Sequence, residues 1–184
     1  RFAGVKIYPD NPKSVWSTAF AKKNTSFEAD GAMGLDARVL YYFNAGGVTP
    51  AMAATRAGVG SDYALALLDA DQQAFDGAKT YKLHLPPNVP VNDFWAVTLY
   101  DTQTRSQLQT SQKFPTVGSQ SEGIKKNADG SYDLYFAPQA PKGQEGNWLQ
   151  TVPGKSWFTI LRMYGPLQPW IDKSWRPSEI EQVR

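Results

Sequence analysis

Tyr100, Asp101, Thr104, Arg105 and Gln109 form the densest polar set in the chain, and they follow directly on the apolar run Phe94–Leu99. Groups of this kind at the end of a buried strand can line the floor of a cleft, with Asp101 accepting and Arg105 donating. Asp101 with Tyr100 or Arg105 would then supply an acid–base pair for a hydrolase or lyase. The same side chains can instead cap backbone groups where the strand turns out. Arg162 is the second candidate. It stands among Phe158, Ile160, Leu161 and Met163, where an unpaired guanidinium would cost several kcal/mol, roughly. Asp101 and Asp133 are its expected structural partners; failing those, it clamps a ligand carboxylate or phosphate. Trp148 and Trp175, beside Asn147 and Arg176, could offer ring faces to a glycan or an aromatic ligand, whereas Trp95 and Trp157 read as core.

Other chemistries are excluded or weak. The chain has no cysteine and one histidine, His84, so disulfides, thiolate sites and multi-histidine metal centres are ruled out. No metal and no cofactor is expected. Asp69, Asp71 and Asp76 lack the glycine and terminal glutamate of a calcium loop and read as turn residues. Ser61 lies in Gly58-Val-Gly-Ser-Asp, without the Gly-x-Ser-x-Gly of a nucleophile elbow. Charged residues make up 20% and the formal net charge is +2. With no basic stripe, nucleic acid is a poor partner. No apolar run approaches the roughly 20 residues of a membrane helix. The first residue is Arg1, and the expectation is a fragment of a longer chain.

The elements that must position these residues follow from periodicity. Asp10-Asn11-Pro12 reads as a helix start, and Val15, Trp16, Ala19 and Phe20 recur at helical spacing, with Lys22-Lys23-Asn24 as the stop. A second helix is expected over 35–45, with Leu35, Val39, Tyr42 and Phe43 on its inner side and Gly46-Gly47 after it. Thr49 would begin one further helical turn. Beyond Gly60 the period becomes extended. Tyr63, Leu65 and Leu67 alternate with Ala64, Ala66 and Leu68, and Tyr81, Leu83 and Leu85 alternate with Lys82 and His84. Phe94–Tyr100 and Trp157–Tyr164 are apolar on both faces and read as central strands. Asp76-Gly77 marks a turn, and Asn127-Ala-Asp-Gly130 marks a hairpin between 123–127 and 132–136; 114–123 reads as a loop. The sum is a mainly β protein: an antiparallel jelly-roll-like sandwich over 61–184, with a helical front segment over 1–60 packed on it.

Several of these stretches, in this order, resemble a known family. They are Tyr81-Lys-Leu-His-Leu-Pro-Pro, Asp93-Phe-Trp-Ala-Val-Thr-Leu-Tyr-Asp, Asn127-Ala-Asp-Gly-Ser-Tyr-Asp-Leu-Tyr-Phe, Asn147-Trp-Leu, Phe158-Thr-Ile-Leu-Arg-Met-Tyr-Gly-Pro and Trp175-Arg-Pro. The family is domain of unknown function 1214, which often follows a companion domain, number 1254, in exported bacterial proteins. The resemblance covers 35 to the end. It implies a jelly-roll-like sandwich, an upstream domain of the same parent chain as partner, and a periplasmic or secreted home. It implies no activity. Three functions stay open: a module binding a glycan or a small aromatic or carboxylate ligand, a hydrolase or lyase, and a docking domain.

Overall fold

The computed structural model describes residues 5–45, 47 and 50–183. In chain order the strands are β1 (Val5–Lys6), β2 (Trp16–Thr18), β3 (Glu28–Ala29), β4 (Ala32–Met33), β5 (Ser61–Ala66), β6 (Phe75–Asp76) and β7 (Tyr81–Leu85). They continue as β8 (Trp95–Asp101), β9 (Thr116–Gly118), β10 (Tyr132–Ala137), β11 (Trp148–Gln150), β12 (Ser156–Tyr164) and β13 (Ile180–Gln182). Three α-helices, α1 (Leu35–Ala45), α2 (Pro50–Ala53) and α3 (Gln168–Ile171), and two 3₁₀ turns, Ala21–Lys23 and Glu145–Asn147, complete the described elements.

Two sheets face each other. The larger runs β1-β2-β5-β12-β8-β9, with β6 also on β12, and the smaller runs β11-β10-β7-β13. Pairing is antiparallel except between β10 and β11. The protein is therefore a mainly β, antiparallel sandwich. β8 and β12 lie in the middle of the larger sheet, as their doubly apolar sequences require. Between the sheets, Trp157 stacks on Phe75 (centroids 4.0 Å apart) and on Phe136 (4.9 Å), and meets the edge of Tyr81 at 5.6 Å. Ala64, Val97, Leu99, Leu161, Leu83 and Leu134 are fully buried around it. Rings of this size supply most of the apolar area that a sandwich core removes from water.

The front segment departs from expectation. Trp16, expected in a helix, is in β2, and β2 pairs with both β1 and β5 (Trp16 opposite Ala66). The open edge of β5 offers a ladder of hydrogen bonds that an isolated amphipathic turn cannot match, so tertiary pairing overrides the 3.6-residue pattern. Only Ala21–Lys23 coils, as one 3₁₀ turn, with Lys22 and Lys23 at φ 48° and 56°. α1 falls on the expected residues but is turned about its axis. Leu35 and Val39 are 62% and 67% exposed, Tyr42 is exposed, and the buried stripe is Ala37 with half-buried Leu40 and Tyr41. The side chain of Phe43, the stop at Gly46 and the helix start at Thr49 lie outside the described residues. Two β expectations change as well. Asn127–Gly130 turns as expected, but residues 123–127 form no strand, and β10 pairs with β7 and β11 instead. The expected loop at 114–123 contains β9, which pairs with β8.

Candidate functional site

Alternation along β12 and β8 sorts the candidates. Trp157, Thr159, Leu161 and Met163 point into the sandwich, and so do Trp95, Val97 and Leu99. Phe158, Ile160 and Arg162 therefore stand on the outer face with Tyr100, as do Tyr63 and Leu65 of β5, whose alternate residues Ala64 and Ala66 are buried. On that outer face lies a cavity of about 290 Å³. Its floor is the sheet: Tyr63, Leu65, Tyr100, Phe158, Ile160 and Arg162. Ser17 and Thr18 of β2 extend that floor at the sheet's β2 side, and the roof comes from the rest of the front segment, through Ala19, Phe20, Leu40 and Tyr41 of α1, and Met52 of α2. Asp62 and Arg105 complete the wall.

Arg162 is the distinctive group on this floor. It lies opposite Tyr63 in the β12–β5 register and opposite Ala96 in the β12–β8 register. Its Nη2 donates to the Tyr100 hydroxyl, and its guanidinium carbon lies 5.7 Å from the Tyr63 ring centroid and 6.0 Å from that of Tyr100. Its Nε is shut off from water without a hydrogen-bond partner. No carboxylate lies within 4.0 Å of it among the described residues. Burial works to lower the guanidinium's pKa, but the hydroxyls of Tyr164, Tyr100 and Tyr63 outweigh that and raise it, so it keeps its charge.

The expected partners of Arg162 are engaged elsewhere. Asp101 continues the inward parity of β8 and accepts from Lys155 Nζ at 2.9 Å and from the backbone N–H groups of Gln103 (2.7 Å) and Thr104 (3.1 Å). The Lys155 hydrogen bond, then those backbone donors, hold its pKa down at about 2. Asp101 is thus the cap of the turn, and it and Tyr100 project to opposite faces of one strand. Asp133 is on the other sheet, 3.0 Å from Lys82 Nζ and 2.7 Å from His84 Nδ1.

Of the other candidates, Arg105 joins Tyr100 and Arg162 at the cavity, held at φ 63° by the turn that Asp101 caps. Thr104 is exposed and bonded to Ser106, and Gln109 is exposed; neither lines the cavity. Trp148 is on β11, its Nε1 donating to the Ala137 carbonyl at 2.8 Å. Trp175 is buried, its Nε1 donating to the Pro87 carbonyl at 3.2 Å, with its ring 6.2 Å from that of Trp170. Both lie away from the cavity.

Asp62 was not legible as a site residue. Its carboxylate accepts from Lys23 Nζ with both oxygens (2.8 Å each), from Thr55 Oγ1 (3.0 Å), from Trp170 Nε1 (2.9 Å) and from the Tyr63 N–H (3.0 Å). Burial acts to raise its pKa, and Lys23 with these donors brings it below the ordinary carboxylate value. It ties the roof segment, through Lys23 and Thr55, to the sheet and to α3. The one local signal was a charge at the start of a strand that otherwise alternates Ala with Tyr and Leu. Among the described residues no cluster of three or more histidines or carboxylates could hold a metal ion, and no helix is long and apolar enough to cross a membrane.

The comparisons with known proteins bear on this fold. The chain is similar in structure to the VPA0106 protein of Vibrio parahaemolyticus, with a TM-score of 0.60 and 24% identity over 84% of this chain and 36% of that one. It is also similar to a putative uncharacterized protein of Burkholderia cenocepacia, with a TM-score of 0.44 and 15% identity over 72% of this chain and 32% of that one. The chain thus spans about a third of the length of each. No curated protein matches it. The family described as Protein of unknown function (DUF1214) matches residues 60–168, which carry the floor of the cavity and most of the sandwich. That match takes in more than half of the chain, and the protein belongs to this family.

Proposed function

We propose that the protein is a ligand-binding module whose outer-face cleft takes a small amphipathic organic anion. The observation that carries this reading is the charge state of the floor. Arg162 brings a positive charge into a largely apolar cavity, its neighbours are phenols, and its Nε is unsatisfied. The phenols keep the guanidinium charged, but its Nε and its charge both lack a counterpart that an anion would supply. The apolar body of the ligand would lie against Leu65, Ile160 and Phe158 below and Phe20, Leu40 and Met52 above. A glycan fits less well, since these walls offer few polar partners for its hydroxyls. The reading includes the periplasmic or secreted home and the upstream partner domain that the family resemblance implies.

The test is a thermal-shift and calorimetric comparison of amphipathic organic anions with their neutral counterparts. Anions raise the melting temperature of the wild-type chain, neutral analogues do not, and Arg162→Met removes the response. A wild-type chain indifferent to every anion would overturn the reading.

A further inference from the structure

We infer that the ligand is an aromatic carboxylate of one or two rings, and that Tyr100 is the residue that selects its head group. This rests on the reading of the cleft as an anion site and narrows it in two respects.

The first is the head group. The Tyr100 hydroxyl accepts from Arg162 Nη2, so its own proton is left to donate. A guanidinium and a phenol side by side present a short row of donors suited to the two oxygens of a carboxylate. A phosphate group calls for more, usually a run of backbone N–H groups at a helix N-terminus or in a glycine-rich turn. Among the described residues the cavity has neither: α1 contributes Leu40 and Tyr41, from the middle of the helix, and no described glycine lines the wall.

The second is the body. Two ring pairs line the space. In the floor, Tyr100 and Phe158 stack with centroids 5.1 Å apart and planes 21° apart. In the roof, Phe20 and Tyr41 lie 4.8 Å apart at 53°. A flat ring entering between floor and roof gains face and edge contacts that a flexible alkyl chain cannot make without loss of rotamer freedom. The cavity, at about 290 Å³, lies just below the range for drug-sized sites, roughly 300–1,000 Å³. That volume accommodates a compact ring system, and the choice of a ring over an alkyl chain rests on the ring pairs.

The experiment is isothermal titration of the full chain with benzoate, cinnamate, octanoate, phenyl phosphate and benzamide. Benzoate and cinnamate are expected to bind, octanoate and phenyl phosphate at least about tenfold more weakly, and benzamide not at all. Tyr100→Phe, checked for an unchanged denaturation midpoint, is expected to weaken benzoate by roughly ten- to a hundredfold, the loss of one hydrogen bond to a charged group. Octanoate or phenyl phosphate matching benzoate, with the same dependence on Arg162, would overturn the aromatic-carboxylate inference and leave the anion site standing. Tyr100→Phe binding benzoate as tightly as the wild type would overturn the role of Tyr100. No binding of any of the anions would remove both readings. The ligand comparison uses the wild-type chain, so its outcome does not depend on how the variant folds.

Discussion

Arg162 and Tyr63 face each other across the β12–β5 ladder, with the guanidinium carbon 5.7 Å from the phenol ring centroid. The pair puts a cation on an aromatic surface at the floor of a cleft, where a carboxylate would stabilise the fold better. Cation–π attraction contributes about 0.5–2 kcal/mol, less than the cost of burying an ion without its counterion.

Arg162→Met is therefore expected to leave the fold intact and to change its stability by no more than about 1 kcal/mol, because losing the contacts to Tyr100 and Tyr63 is offset by removing a half-buried charge and its orphaned Nε while the volume of the stem is kept. Urea denaturation checks this. A loss of about 3 kcal/mol would mean that the guanidinium holds the sheet together and is not waiting for a ligand.

Asp62 has the opposite role. Asp62→Ala leaves the Trp170 indole N–H, fully buried with its ring, without its acceptor, and Lys23 without its counterion. A loss of about 2–4 kcal/mol is expected. Because Lys23 and Thr55 belong to the roof, hydrogen exchange should rise there, between 20 and 55, more than in β8 or β12. Uniform exchange across both would contradict the role given to this residue.

Acid should act through Asp101. Its carboxyl titrates at about 2 in the fold, below the ordinary 3.8. A depressed folded value means that its contribution is fully present above pH 3.8 and fades as pH falls towards 2. Lys155 is 48% exposed, so that contribution is discounted to about 1–2 kcal/mol. Asp101→Asn should cost that much at pH 7 and progressively less as pH falls from 3.8 through 2. A difference between the two proteins that does not change with pH would disprove the linkage.

Gly118 of β9 ends the outer-face row that runs through Ala96 to Arg162. A Cβ there would lie 2.4 Å from the Trp95 carbonyl oxygen, a backbone atom that cannot step aside. Gly118→Ala should cost about 2–3 kcal/mol by forcing β9 away from β8. Equal midpoints for variant and wild type in chemical denaturation would show that the edge strand yields freely.

Local signals carried part of this protein into view. The doubly apolar runs of β8 and β12 could only be satisfied between neighbouring strands, so they announced themselves as central. The limits of α1 and the turn at Asn127–Gly130 followed from periodicity and turn chemistry, which act over a few residues. Tyr100, Arg105 and Arg162 could be singled out because charged and phenolic groups beside apolar strands need partners. Three things required the folded chain. Trp16 became a strand residue because β5 had an edge to offer, and α1 turned Val39 outward because Ala37 and Tyr41 fit the roof better. Arg162 was separated from Asp101 by strand parity, one face against the other, which no spacing in the sequence reveals until the pairing is known. The cleft exists because Phe20, Leu40, Tyr41 and Met52 come back over a sheet built mainly from residues after 60, and such long-range closure leaves no periodic trace in either segment.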